Sequence, residues 1–213
     1  KTIEEKDVAH GMGHMFGLLH TFANTIASNN STWECIGGDA AKADYLNDTD
    51  ADPLKMDINK KYEQWLNYGD MDASLKAELA GMTEEQKEDA FYKNLEFGTA
   101  GMRGILGAGT NRMNIYTVRK ANMGFAKYVA NLPEGKERGV AISYDNRHMS
   151  YRFAIESAKI LAKFGIKSYI MESLRPTPEL SFAVRYLKCA GGIMITASHN
   201  PAKYNGYKAY GPD

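Results

Sequence analysis

The stretch from Gly191 to Pro201, Gly-Gly-Ile-Met-Ile-Thr-Ala-Ser-His-Asn-Pro, constrains this chain more than any other. Ile193, Met194 and Ile195 form an apolar run behind a paired glycine. That pattern predicts a short buried strand, with a piece of buried helix as the alternative that periodicity leaves open. The run breaks at once into small and polar residues. Pro201 keeps Asn200 out of the helical region, so the turn is sharp. A polar loop at the carboxyl end of a buried strand is where open α/β sheets place ligands. Ser198 sits at the tip of that loop, with His199 beside it. Two roles are open to it: a turn serine bonded to its own backbone, or a nucleophile or carrier of a phosphoryl group.

The chain leading to this stretch alternates strand and helix. Val140–Tyr144 reads as a strand. Ala154, Ala158 and Leu161 mark a helix closed by Gly165. Ser168–Met171 reads as the next strand. Thr177 is the expected cap of a helix with Pro178 in its first turn, and Leu180, Ala183, Val184 and Leu187 form its apolar face. Ile115, Val118, Asn122, Phe125 and Val129 place an earlier helix that ends before Pro133. This order is that of an α/β layer with helices on its faces. Further upstream, Ile58, Tyr62, Trp65 and Leu66 fall on one helical face. Thr83-Glu-Glu-Gln86 fits a capping box for a helix running to about Leu95. After Pro201, Asn205-Gly206 carries a strong turn signal.

Composition narrows the partners. A formal net charge of zero argues against a nucleic acid or an anionic membrane surface as the partner. No run of about 18 apolar residues is present to span a bilayer, and no secretory apolar segment lies near Lys1. Cys35 and Cys189 are too few and too far apart to make a disulfide framework. A cytoplasmic location is the expectation.

Three more phrases carry chemistry. In Phe97-Gly-Thr-Ala-Gly-Met-Arg103-Gly, three glycines surround one arginine, suggesting a tight turn or a close approach to a ligand. Asp145-Asn-Arg147 follows the Val140–Tyr144 strand, where a surface ion pair is the plain reading. Asn205-Gly-Tyr-Lys208 puts a lysine in a strand, where a solvated charge is the plain reading. Taken with Thr196-Ala-Ser-His-Asn-Pro201, these phrases stand in the order of the motifs of the α-D-phosphohexomutases, the phosphoglucomutase/phosphomannomutase family. The six-residue loop resembles that family's phosphoserine loop. Phe97–Gly104 looks like its F-G-T-A-G-x-R-G signature, and Asp145–Arg147, Thr177-Pro178 and Asn205–Lys208 are similar to its D-x-R, T-P and N-G-x-K segments.

The resemblance implies the first domain of such an enzyme over residues 56–213, an α/β domain with a mixed sheet between helices. A short helical and loop-rich segment would precede it. It implies a phosphotransferase that interconverts sugar 1-phosphate and 6-phosphate through phosphorylated Ser198, with a sugar bisphosphate as intermediate. Mg2+ would take the phosphoserine as one ligand. Arg103 and Lys208 would act at the site, with His199, Asn200, Asp145 and Arg147 supporting and Arg147 the more direct contact. The family's acidic metal loop and its other domains would lie past Asp213, so the chain is expected to be a fragment that is inactive by itself. The rival from another class is a non-catalytic fusion of two gene fragments.

Residues 1–55 differ from the rest. His10-Gly-Met-Gly-His14-Met-Phe-Gly17-Leu-Leu-His20 puts two imidazoles four residues apart on one helical face, with a third after a glycine. The phrase resembles the zinc helix of the metzincin proteases. Gly11 stands where that family has its general-base glutamate, so zinc hydrolysis is not expected. The family's partner for Cys35 is also lacking, with only Cys189 elsewhere in the chain. A severed protease remnant is the expectation, helical around 3–18, with 29–55 a polar linker.

Overall fold

In a computed structural model, residues 26–29, 32–35, 53–99 and 101–212 are described. They form two compact units. Leu95–Gly107 and the residues from Arg112 onward make the larger; the described residues up to Asn94, with Ala108–Asn111, make the smaller. The division expected between residues 55 and 56 runs through a helix, α1 (Pro53–Leu66), and compactness divides the chain at Leu95. The expected helix at 3–18 and the histidines His10, His14 and His20 lie outside the described residues.

In the smaller unit, β1 (Ile26–Asn29) pairs antiparallel with β2 (Thr32–Cys35), Asn29 standing opposite Thr32. This corrects the reading of 29–55 as linker throughout. The β-branched and aromatic residues Thr32 and Trp33 suit a strand, and the polar residues around them hide that signal. Three helices follow: α1, α2 (Ala73–Ala80) and α3 (Glu84–Phe91). The stripe on α1 does what its spacing requires. Ile58 is buried with Leu79, Ala90, Phe91 and Ala108, and Tyr62 and Trp65 pack on that cluster. Both rings present their edges to Phe91, at 5.9 and 5.7 Å. The capping box is present: Gln86 N–H donates to Thr83 Oγ1, and Thr83 N–H donates to Gln86 Oε1.

The larger unit is built on a six-stranded mixed sheet with the order β3-β4-β8-β7-β5-β6. Its strands are β3 (Phe97–Gly98), β4 (Gly101–Ile105), β5 (Val140–Tyr144), β6 (Ser168–Ile170), β7 (Gly191–Ile195) and β8 (Tyr204–Tyr210). β7, β5 and β6 are parallel, while β8 runs antiparallel to both of its neighbours. The helices are α4 (Ile115–Ala130), the short α5 (Gly135–Arg138), α6 (Ser150–Lys163) and α7 (Thr177–Tyr186).

The paired glycine explains how the helices sit. Successive strand residues face opposite sides of a sheet. A Cβ on Gly191 would lie 2.8 Å from the Phe125 ring of α4, and one on Gly192 would lie 2.7 Å from Val184 of α7. The two helices therefore press on β7 from opposite faces, each at a position with no side chain to hold it away. On the α7 face, Leu180, Ala183 and Val184 pack with Ala141, Cys189 and Met194. Two details of α7 depart from expectation. Pro176 occupies the cap position without a side-chain hydrogen bond, and Thr177 is the first helical residue. Leu187 lies past the last turn and is exposed rather than on the apolar face.

Asn205-Gly206 is not a turn. Both residues are buried inside β8, with Gly206 opposite Arg103 and Asn205 opposite Gly104. A glycine in a strand interior can mark a close backbone approach. Here a Cβ on Gly206 would fall 2.6 Å from the Thr196 carbonyl oxygen and 2.8 Å from that of Met102.

The next residue, Tyr207, is fully buried, and burial raises its hydroxyl well above the ordinary tyrosine pKa. It donates to Asn122 Oδ1 at 3.1 Å. Asn122 in turn donates to Val118 O and Ser157 Oγ, and Ser157 donates to Phe153 O. This closed network ties β8 to α4 and α6. Tyr207→Phe should leave Asn122 Oδ1 buried without a donor and lower unfolding free energy by about 1–3 kcal/mol. Urea unfolding measures it, and an unchanged midpoint would show that the network contributes nothing net.

Candidate active site

β7 ends at Ile195, and the chain turns through Thr196–Lys203 before returning as β8. Ser198 stands exposed at the outer end of this turn, with φ of +56°. A left-handed backbone is uncommon for a residue with a side chain, and it persists only where the surroundings hold it. Several bonds hold it here. Ser198 N–H donates to Thr196 Oγ1 at 2.9 Å, and Asn200 N–H donates to the Ala197 carbonyl at 3.1 Å.

Arg147 spans the whole loop. Its Nη2 donates to the carbonyls of Ser198 and Asn200, both at 2.7 Å, and its Nη1 to those of Pro201 and Tyr204, both at 3.0 Å. A planar guanidinium with donors on two forks suits such a task. Arg147 thus meets Ser198 at its backbone carbonyl. Its Nε lies 3.4 Å from Asp145 Oδ2.

Asp145 follows β5 and is the hub beneath the loop. Its Oδ1 accepts from Arg147 N–H at 3.1 Å and from the Ser150 hydroxyl at 2.7 Å. Its Oδ2 accepts from the Thr196 hydroxyl at 2.6 Å. His199 lies beside the serine, with Nδ1 3.4 Å from Ser198 Oγ.

The antiparallel strands bring two cations to the same end of the sheet. Arg103 on β4 donates from Nη1 to Asn200 Oδ1 at 3.1 Å, while its buried Nε has no hydrogen-bond partner among the described residues. Lys208 on β8 is half-buried. Burial first, and the Arg103 cation second, pull its ammonium below the ordinary value of 10.5, against the opposing pull of Asp145. Lys208 should therefore lose its proton at a lower pH than the exposed lysines. The unfolded chain holds that proton more tightly, so this residue makes stability rise with pH between its folded-state value and 10.5. NMR titration of the Lys208 side chain measures it, and a midpoint at or above that of the exposed lysines would contradict this.

The structure thus collects Ser198, His199, Asn200, Arg103, Asp145, Arg147 and Lys208 at one end of the sheet. Three further residues of the same assembly, Thr196, Ser150 and Asn205, do not stand out as site residues in the sequence. Thr196 lies inside a motif without a role of its own, and Asn205 reads as half of a turn. Ser150 belongs to no motif, and the bond that ties it to β8, from Asn205, spans 55 residues. Among the described residues no group of three His, Cys, Asp or Glu side chains could hold a metal ion.

An exposed serine loop at the carboxyl end of a parallel strand, with Arg103 and Lys208 on the two antiparallel strands beside it, gives this α/β domain a polar, cation-bearing site at one end of its sheet. Residues 94–213 match the family model for the phosphoglucomutase/phosphomannomutase alpha/beta/alpha domain I. The chain belongs to this family. A phosphoglucomutase of Staphylococcus epidermidis is 49% identical over 131 residues, which is 62% of this chain and 24% of the relative. One of Staphylococcus haemolyticus is 43% identical over 151 residues, 71% of this chain and 27% of the relative. The crystal structure of a Thermus thermophilus protein assigned as a phosphomannomutase aligns over 56% of this chain and 26% of its own. Its TM-score is 0.49 and its identity 35%. The chain spans about a quarter of the length of the relatives it matches. Among the described residues no helix is long and apolar enough to cross a membrane.

Proposed function

We propose that this domain serves a cytoplasmic phosphotransferase that interconverts sugar 1-phosphate and sugar 6-phosphate, with Ser198 as the phosphoryl carrier. The observation that carries the reading is the placement of Ser198. It is exposed and held left-handed at a strand end, on a loop that Arg103 also contacts, with Lys208 carried by the neighbouring strand. In the reaction, phosphoserine gives its phosphoryl group to the free hydroxyl of the sugar monophosphate. The oxygen–phosphorus bond to Ser198 breaks as the one to the sugar forms. The bisphosphate then returns its other phosphate to Ser198.

The chain's own residues supply positioning and charge, which dominate phosphoryl transfer. The Arg103 guanidinium, tied to the loop through Asn200 Oδ1, puts a permanent positive charge beside it. Lys208, carried beside Arg103 on the neighbouring strand, is suited to balance the charge of a phosphate. His199 Nδ1 borders the serine oxygen and can hold a proton there. Magnesium, which the family resemblance implies, would take an oxygen of the phosphorylated Ser198. The described residues do not make a site for it by themselves. The carboxylate bonded into the loop, Asp145, is engaged by Ser150, Thr196 and Arg147. The further ligands and the grip on the far end of the sugar then belong to other domains of the enzyme.

Conversion of glucose 1-phosphate, with glucose 1,6-bisphosphate and magnesium present, tests this. It should be measured for this chain and for a version extended to family length. We expect turnover from the extended protein alone, because lost positioning can remove about 7–11 kcal/mol of barrier lowering. Inactivity of both would remove the proposal. Rates within about tenfold of each other would mean that this domain alone does the positioning.

A further inference from the structure

Asn205 is fully buried at the start of β8, and its side-chain amide is used at both ends. Its Nδ2 donates to the His148 carbonyl at 2.8 Å and to Ser150 Oγ at 3.0 Å, and its Oδ1 accepts from Gly206 N–H at 2.7 Å. These partners fix which end is which, because a reversed amide would face its oxygen to the His148 carbonyl and its nitrogen to another donor. The Ser150 oxygen accepts from Asn205, so its own proton goes to Asp145 Oδ1. On the other side of that carboxylate, Thr196 donates its hydroxyl proton to Oδ2. A lone pair of the Thr196 oxygen is thereby turned toward Ser198 N–H, which donates to it. An ionised carboxylate only accepts, so Asp145 fixes both hydroxyls as donors and joins the two halves of the series.

We propose that Asn205 is a positioning residue for Ser198, acting through Ser150, Asp145 and Thr196 to hold the serine in its left-handed conformation. Asn205 touches no atom of Ser198 and acts only through the series. The functional value of the proposal rests on the reading of Ser198 as the phosphoryl carrier. A serine held this way keeps its Cα–Cβ bond in one direction on each transfer. Arg147 clamps the loop by its carbonyls, whereas this series grips the Ser198 amide, which the Arg147 clamp leaves unattended. The two devices are complementary.

The test is made on the whole chain, by 1H–15N NMR with hydrogen exchange. In Asn205→Ala the resonances of Ser198 and Thr196 should shift, and the Ser198 amide should exchange about tenfold faster or more. Amides of Val140–Tyr144 should keep their protection, which separates repositioning from general loosening. Ser150→Ala, which deletes a single oxygen, should reproduce the effect if Asn205→Ala fails to fold. Thr196→Ser should keep the wild-type Ser198 exchange rate, while Thr196→Val should not. A Ser198 amide that neither shifts nor exchanges faster in Ser150→Ala and Thr196→Val would overturn the proposal. These readouts need no phosphorylation. Altered exchange in a protein that never phosphorylates Ser198 would therefore support the series and count against the phosphoryl-carrier reading alone.

Discussion

Gly206→Ala is expected to destabilise the larger unit by about 3 kcal/mol or more, at the upper end of what overpacking costs. The added methyl has nowhere to go. On one side it would meet the Thr196 carbonyl at 2.6 Å, on the other the Met102 carbonyl at 2.8 Å, with Arg103 Cγ at 3.1 Å. Two of these three are backbone atoms, one in β4 and one in the residue that follows β7, so relief requires β4 and the start of the serine loop to move away from β8. The Thr196 N–H bond to the Gly206 carbonyl lies in the same place, so the strain is delivered to the serine loop as well. Thermal unfolding, read beside the Ser198 amide resonance, measures both effects. A variant with wild-type stability would mean that the sheet yields far more easily than its packing indicates.

Arg147→Lys should be nearly as damaging to the loop as Arg147→Ala. The guanidinium, with its side chain only 12% exposed, serves four carbonyls spread from Ser198 to Tyr204. A lysine ammonium carries three donors on one atom and cannot reach both pairs. Hydrogen bonds to a charged group contribute about 1.5–3 kcal/mol each when counted singly, but four on one side chain are not additive, and a total near 2–4 kcal/mol is expected. The loss should be concentrated between Ala197 and Tyr204, since those carbonyls have the guanidinium as their shared donor. Limited proteolysis should cut there in both variants and spare the wild type. Full resistance in Arg147→Lys would show that a point charge suffices, and that the planar clamp is not what holds Ser198.

Much of the larger unit is legible in the sequence because its signals are local. The apolar run Val140–Tyr144, the helix stripe at Ile115–Val129 and the break after Ile195 each sit within one element. The paired glycine before Ile193 is visible, but its cause is not. Only the fold shows Phe125 on one face and Val184 on the other. Asn205-Gly206 fails for the opposite reason. The dipeptide is a good hairpin turn in isolation, and tertiary contacts place it inside a strand, where the glycine admits two carbonyls and the asparagine feeds a buried polar series. Thr32–Cys35 is lost among polar neighbours, and its pairing with Ile26–Asn29 is what reveals it. In the site, the residues that carry charge are found by type and motif. The ones that orient them, Thr196, Ser150 and Asn205, are neutral and are brought together only by folding.

The central claim is that Ser198 is the residue that carries phosphate, and the location of phosphate in an active enzyme containing this domain tests it most directly. The protein would be incubated with glucose 1,6-bisphosphate, digested, and its phosphopeptides sequenced by mass spectrometry. A single phosphate on Ser198, absent from Ser198→Ala together with all turnover, is the result this account predicts. Phosphate on another residue, or full activity in Ser198→Ala, would contradict it.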